Sequence, residues 1–244
     1  MGLNKTKILG ISITTSPKEE ILEEVRKRLK SASNKDEKPF IVVTPNPEQL
    51  VLAQKDIELA EILNKADVAI PDGIGLVWAM HYLAGMSDIK RIPGVELMED
   101  LVRLSARGGY TIGLIGGWHG VAVATGDRLL QKYPELTYWA LEPEAKTLEE
   151  ITKKIADTNT RLVFVGLGAP KQEYFIEKLQ APVVAMAVGG SFDIIAGRTH
   201  RAPFLLRTIG VEWLWRLMRE PGRWRRQLAL MRFLLLVVRT KLQV

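Results

Sequence analysis

The chain has no cysteine in its 244 residues, which excludes disulfides and thiolate metal centres. Histidine is nearly as scarce. His81, His119 and His200 are the only three and stand far apart, so no imidazole-built metal site is expected. No Asp-x-Asp occurs, which leaves no evident divalent-metal site of the kind common in nucleotide-sugar enzymes. No metal is therefore expected, and the preferred reading below needs no cofactor. G-x-x-x-x-G-K-[ST] is missing, which argues against a P-loop NTPase, as are G-x-S-x-G and H-E-x-x-H. The opening MGLNKTKILGIS holds no apolar run of signal-peptide length, and a cytoplasmic location is the default expectation. The most apolar segment, QLALMRFLLLVV at 227–238, carries Arg232 in its middle. A spanning helix needs about 20 apolar residues, so this segment is expected to lie on a membrane surface if it meets lipid at all.

What is present is ordinary globular composition, 47% hydrophobic and 25% charged, enough for one large α/β domain or a domain with an appendage. Charge is not spread evenly. Residues 201–244 hold ten Arg and Lys against two Glu, a net of +8 in a chain of +6, so residues 1–200 carry −2. Trp213, Trp215 and Trp224, half of the tryptophans, share that segment. Cations interleaved with Trp and Leu suit an anionic, amphipathic surface such as a lipid headgroup layer. Nucleic acid is the competing partner for such a patch.

The pattern along the chain predicts parallel strands joined by helices. KILGISI (7–13) reads as a first strand. Ile21, Leu22, Val25 and Leu29 then share one face of a helix that Ser16 and Pro17 would open. FIVVTPN (40–46) reads as a buried strand, 47–64 as a helix and ADVAIPDG (66–73) as a further strand. TIGLIGG (111–117), RLVFVGLGAPKQ (161–172) and VVAMAVGGSFD (183–193) each run from apolar residues through glycines into a helical pattern. The expected fold is α/β, a Rossmann-like and mostly parallel sheet flanked by helices over 1–197. A basic, amphipathic helical appendage is expected over 198–244, split by Pro221-Gly222 into helices near 208–219 and 223–241. On the second, Trp224, Leu228, Met231, Leu235, Val238 and Leu242 form one stripe, with Arg225, Arg232 and Arg239 beside it. Packing would explain the apolar stripe alone. The adjacent arginines favour membrane contact, because they can snorkel to phosphates.

Ligands of open α/β sheets sit at the carboxyl ends of strands, and five of these loops fall there. Thr44-Pro45-Asn46-Pro47 offers a hydroxyl and an amide, or simply caps the next helix. Asp72, between Pro71 and Gly73, is either a helix cap or a general base. Gly113, Gly116, Gly117 and Gly120 resemble a dinucleotide fingerprint, a weak signal by itself. Gly166, Gly168, Lys171 and Gln172 form a second glycine loop, and Gly189, Gly190 and Asp193 a third. Each can be a tight turn. Three converging on one sheet edge favour an anionic nucleotide ligand. An NAD oxidoreductase is a weaker reading, because no acidic ribose partner ends a second strand.

Several strings together resemble the WecG/TagA/CpsF glycosyltransferase family. They are TPNPEQL (44–50), ADVAIPDGIGLVWA (66–79), RIPGVELM (91–98), IGLIGG (112–117), VGLGAPKQE (165–173), VGGSFDIIAG (188–197), RAP (201–203) and GVEWLWRLMREPGRWRR (210–226). The resemblance is greatest to the family's N-acetylmannosaminyltransferases of wall teichoic acid synthesis. It implies transfer of N-acetylmannosamine from UDP to the 4-hydroxyl of N-acetylglucosamine on undecaprenyl diphosphate, with inversion and without metal. WecG-like relatives use the uronic acid instead. The resemblance makes Asp72 the base and places Thr44, Asn46 and Gln172 around the sugar and diphosphate. The glycine loops, Lys171, Asp193, Arg91 and the C-terminal Arg216, Arg219, Arg223 and Arg226 are expected to bind UDP. Trp224 and the Arg225, Arg232, Arg239 stripe are expected to meet the inner face of the cell membrane. A homo-oligomer is a possible assembly and nucleic acid is not an expected partner. One departure stands out: LTYWALEPEAKT (136–147) lacks the glycine expected to end a strand there.

Overall fold

The structure, a computed structural model, describes residues 2–31, 38–142, 147–199, 203, 215, 217–218 and 224–243, and only the backbone of 224–227. Of the expected helix over 208–219 only Trp215, Leu217 and Met218 are described, each helical; the rest, with Arg216 and Arg219, lies outside the described residues. So do Arg223, His200 and the side chains of Trp224, Arg225 and Arg226.

Six strands form one parallel sheet in the order β4-β3-β8-β7-β5-β6. They are β3 (Phe40–Val43), β4 (Val68–Ala69), β5 (Thr111–Gly116), β6 (Tyr138–Leu141), β7 (Thr160–Gly166) and β8 (Val184–Ala187). Their apolar runs are continuous because both faces are covered. Ile41, Val43, Val163, Val165, Ala185 and Ala187 enter one core cluster. Phe40, Val42, Leu162, Phe164, Val184 and Met186 enter the other. The first is covered by α2 (Pro47–Ala53), α3 (Ile57–Lys65), α4 (Ile74–Ala84), α7 (Leu148–Asp157) and α8 (Lys171–Lys178). The second is covered by α1 (Lys18–Ser31), α5 (Gly94–Gly108), α6 (Val121–Lys132) and α9 (Ser191–Ile195).

Three local expectations need correction. KILGISI is not one strand: Leu9 and Gly10 both take positive φ and turn the chain between antiparallel β1 (Lys5–Ile8) and β2 (Ile11–Thr14), the geometry of a tight hairpin. Thr14 Oγ1 accepts the Ala69 N–H at 2.9 Å, tying this hairpin to the short edge strand β4. Residues 47–64 form two helices, because the Asp56 carboxylate caps α3 through the Leu59 N–H. Ser16 Oγ accepts the Asn4 N–H at 3.1 Å rather than an N–H of α1. The divergent 136–147 segment does supply a strand, β6, on the sheet edge.

A C-terminal helix, α10 (Trp224–Leu242), rests on α2 and α4. Phe233 and Val237 are fully buried in the first core cluster, and Leu230 packs against it. The predicted apolar stripe is not the packed face. Leu228, Met231, Leu235, Val238 and Leu242 are 41–81% exposed, and Arg232 and Arg239 are exposed with them. α10 is apolar on two sides, and only one is used by the core. Beside it on α4, Ile74, Trp78 and Tyr82 are also exposed. Trp78 and Tyr82 stack at 5.2 Å, and the Lys241 ammonium lies 6.0 Å from the Tyr82 ring centre.

Phe233→Ala should cost about 3–5 kcal/mol of stability, the loss of a fully buried aromatic. Leu235→Ala, on the exposed side of the same helix, should cost no more than about 0.5 kcal/mol. Denaturant unfolding of the two variants checks this packing; similar losses would contradict it.

Candidate active site

Parallel strands put all their carboxyl ends on one edge of the sheet, and a cleft of about 500 Å³ lies there. It is lined from the ends of five strands: Thr44 and Asn46 after β3, Asp72 after β4, Gly117 after β5, Gly166, Gly168 and Gln172 after β7, and Gly189, Gly190 and Asp193 after β8. Arg91 joins them from the segment before α5. Lys171 does not line the cleft; it stands exposed at the start of α8.

Asp72 does not cap a helix. Gly73 takes that position for α4 at φ +96°, with no side-chain cap. The carboxylate is left to the cleft, where Arg91 Nε and Nη2 each reach Asp72 Oδ1 at 3.4 Å. No cation near Asp72 in sequence announces this pair; the RIPG segment brings Arg91 in from 19 positions on. Gly94 in the same segment packs closely. A Cβ there would sit 3.2 Å from the Thr44 methyl and 3.7 Å from Asp72 Oδ2. Thr44 is buried, its hydroxyl donating to the Ala187 carbonyl at 3.4 Å.

Asn46 does cap a helix. Its Oδ1 accepts the Gln49 N–H, and Gln49 Oε1 accepts the Asn46 N–H, a reciprocal capping box on α2. That leaves the two amide N–H donors of Asn46 for a ligand. Gln172 is almost fully buried. Its Oε1 accepts the Gly189 N–H at 3.0 Å and its Nε2 donates to Glu173 Oε1 at 2.8 Å. One N–H of Gln172 remains.

The glycines divide by role. Gly113 makes room for Trp139, whose ring a Cβ would meet at 2.4 Å. Gly116, at φ +114°, lies against the Gly166 backbone, 2.6 Å from where its Cβ would fall. It packs behind the cleft rather than lining it. Gly120 opens α6, but its N–H donates to Glu142 Oε1 at 2.6 Å. A carboxylate thus takes the amide that a dinucleotide fingerprint would turn to pyrophosphate, which disfavours the NAD reading.

Trp118, His119 and Arg198 are among the liners that lie outside the sequence expectations. Trp118 is 59% exposed, with a ring face suited to stacking on a planar base. Arg198 donates to the Trp118 and His119 carbonyls and so joins the β5 loop to the segment after α9. Its signal in the sequence was slight, a single Arg just past Gly197. Among the described liners, Glu48, Asp72 and Asp193 face two arginines, Arg91 and Arg198. That balance gives no cationic surplus for a diphosphate. No three His, Asp or Glu side chains among the described residues are grouped to hold a metal ion.

The glycosyl transferase WecG/TagA/CpsF family model matches residues 6–244, nearly the whole chain. The strand-end cleft and the glycine loops lie within that span, and the chain belongs to the WecG/TagA/CpsF family of glycosyltransferases.

Proposed function

We propose that this glycosyltransferase moves N-acetylmannosamine from UDP to the 4-hydroxyl of an N-acetylglucosamine carried on undecaprenyl diphosphate, in wall teichoic acid synthesis. The observation that carries this reading is Asp72, a strand-end carboxylate that caps no helix and opens into a cleft of about 500 Å³. In an inverting transfer, one displacement suffices. The Asp72 carboxylate takes the proton of the acceptor hydroxyl as its oxygen attacks C1, and UDP leaves from the opposite face. Asn46, through its remaining amide donors, and Thr44 orient the sugar. Gln172 and the glycine loops of β7 and β8 hold the diphosphate. No metal is assigned a part, because the sequence holds no Asp-x-Asp and the described residues show no grouped ligand set.

The leaving diphosphate gains negative charge, and fixed cations must stabilise it. The described liners are charge-balanced at best. We therefore assign the surplus to the arginine-rich C-terminal segment, with one or more of Arg216, Arg219, Arg223 and Arg226 turned to UDP. The same segment docks on the cell membrane, where a lipid-linked acceptor resides. The exposed side of α10, with Ile74, Trp78 and Tyr82 of α4 beside it, suits the acyl boundary. Arg225, Arg232, Arg239 and Lys241 suit the phosphates, each worth about 1 kcal/mol near an anionic leaflet. No helix among the described residues is long and apolar enough to cross the membrane, so the contact proposed is peripheral.

Product analysis with UDP-N-acetylmannosamine, its uronic acid counterpart and a short-chain lipid acceptor tests the reading. Transfer of the uronic acid alone would move the protein to the WecG type. Asp72→Asn should lower turnover by about 10²–10⁴-fold and leave UDP affinity, read by calorimetry, nearly unchanged; wild-type turnover in the folded variant removes Asp72 as base. Activity should survive excess EDTA. Loss on chelation with rescue by Mg²⁺ or Mn²⁺ would assign a metal to the reaction. Met231→Glu with Leu235→Glu should release the enzyme from anionic vesicles in flotation assays without lowering its melting temperature. Retained vesicle binding would rule out that side of α10 as the dock.

A further inference from the structure

Glu173 is a charged residue type with no surface exposure. It lies directly beneath the cleft, next to Gln172 in the chain. Two amides converge on one of its oxygens: Gln49 Nε2 and Gln172 Nε2 both donate to Glu173 Oε1 at 2.8 Å. The far end of each amide is tied as well. Gln49 Oε1 accepts the Asn46 N–H at 3.2 Å, and Gln172 Oε1 accepts the Gly189 N–H at 3.0 Å. A backbone N–H can only donate, so each glutamine oxygen must face its loop and each glutamine nitrogen must face inward. A single acceptor at the centre is what this arrangement requires.

The chain of bonds runs Asn46, Gln49, Glu173, Gln172, Gly189. It connects the loops after β3, β7 and β8, three of the five that line the cleft. We propose that Glu173 is a positioning residue: as the shared acceptor of the Gln49 and Gln172 amides, it holds these three loops in one mutual arrangement and fixes which amide groups meet the substrate. The turnover part of this inference rests on the transferase reading above; the loop-holding part does not.

The role belongs to the oxygen rather than to the charge. Burial pushes the Glu173 carboxyl above the usual glutamate range, against the amide donors that favour its charged form. Ionised or neutral, it still offers Oε1 as an acceptor. Its second oxygen, Oε2, has no hydrogen-bond partner among the described residues, so nothing described there requires a carboxylate. A buried carboxyl with one oxygen unpartnered is costly for stability alone, and a loop-holding function accounts for its presence.

Two variants separate this role from simple packing. Glu173→Gln keeps an acceptor oxygen in place; Glu173→Met keeps comparable volume and removes it. Glu173→Gln should hold kcat/KM for UDP-N-acetylmannosamine within about threefold of wild type, the scatter of a neutral substitution. Glu173→Met should lower it by about 10²-fold, as a misplacement of about 1 Å can. Hydrogen exchange by NMR should show the Asn46 and Gly189 amides exchanging faster in Glu173→Met and as in wild type in Glu173→Gln. Wild-type turnover and exchange in Glu173→Met would overturn the proposal. So would a folded Glu173→Gln variant slowed as much as Glu173→Met, because the carboxyl itself would then be needed. If Glu173→Met does not fold, Glu173→Gln decides alone, by retained or lost turnover and amide protection. If wild-type enzyme transfers no sugar, the transferase reading fails, and the exchange measurement still judges the loop-holding role.

Discussion

A parallel sheet covered on both faces constrains everything else in this molecule. Parallel neighbours cannot be joined by a tight turn, so each strand must be followed by a crossover. All six strands then end on the same edge. The apolar residues of successive strand positions serve opposite cores, as Phe40 and Val42 against Ile41 and Val43 show. The edge is where the chain leaves the apolar layers, and polar loop groups collect there. Asp72, Asn46, Gln172 and the glycines of β7 and β8 meet in one cleft because the sheet leaves them no other place. Close strand approach adds its own demand: Gly116 lies against the Gly166 backbone, a position no side chain can occupy.

The helix α10 is subject to a different constraint. It is apolar on two sides, and the core has room for one. Phe233 and Val237 occupy that room. The stripe from Leu228 to Leu242 is left facing outward with Arg232 and Arg239. An exposed apolar stripe of this size on a helix is unfavourable in water unless something covers it. The neighbouring α4 extends the same surface through Trp78 and Tyr82, and α4 begins directly after Asp72. The exposed surface of α4 thus starts two positions after the Asp72 of the cleft.

Beneath the cleft, polar groups are organised with less freedom than their surface relatives. Gln172 is nearly buried and Asn46 caps α2, so neither is a loose side chain waiting for a ligand. Each lines the cleft with part of its hydrogen-bonding capacity already committed to the fold. Such double use narrows the orientations available to a bound ligand.

The alternation of apolar runs, glycines and helical spacing determined the α/β class, the parallel strands and the set of strand-end loops, because these depend on local periodicity. Motif order across nearly the whole chain determined the family. Asp72 was legible as a base or a cap. Only the tertiary structure removed the cap, by giving that position to Gly73, and brought Arg91 to the carboxylate. The Leu9-Gly10 turn and the Asp56 cap were missed because one glycine in a strand pattern, or one aspartate in a helical one, signals weakly against its apolar neighbours. The role of Gly113 as a seat for Trp139, the union of Gln49 and Gln172 on Glu173, and the packing of α10 through Phe233 and Val237 were not in the sequence to read. Each depends on residues that are distant along the chain and adjacent only after the sheet has formed, and hydrophobic periodicity carries no information about which of two apolar faces will find a partner.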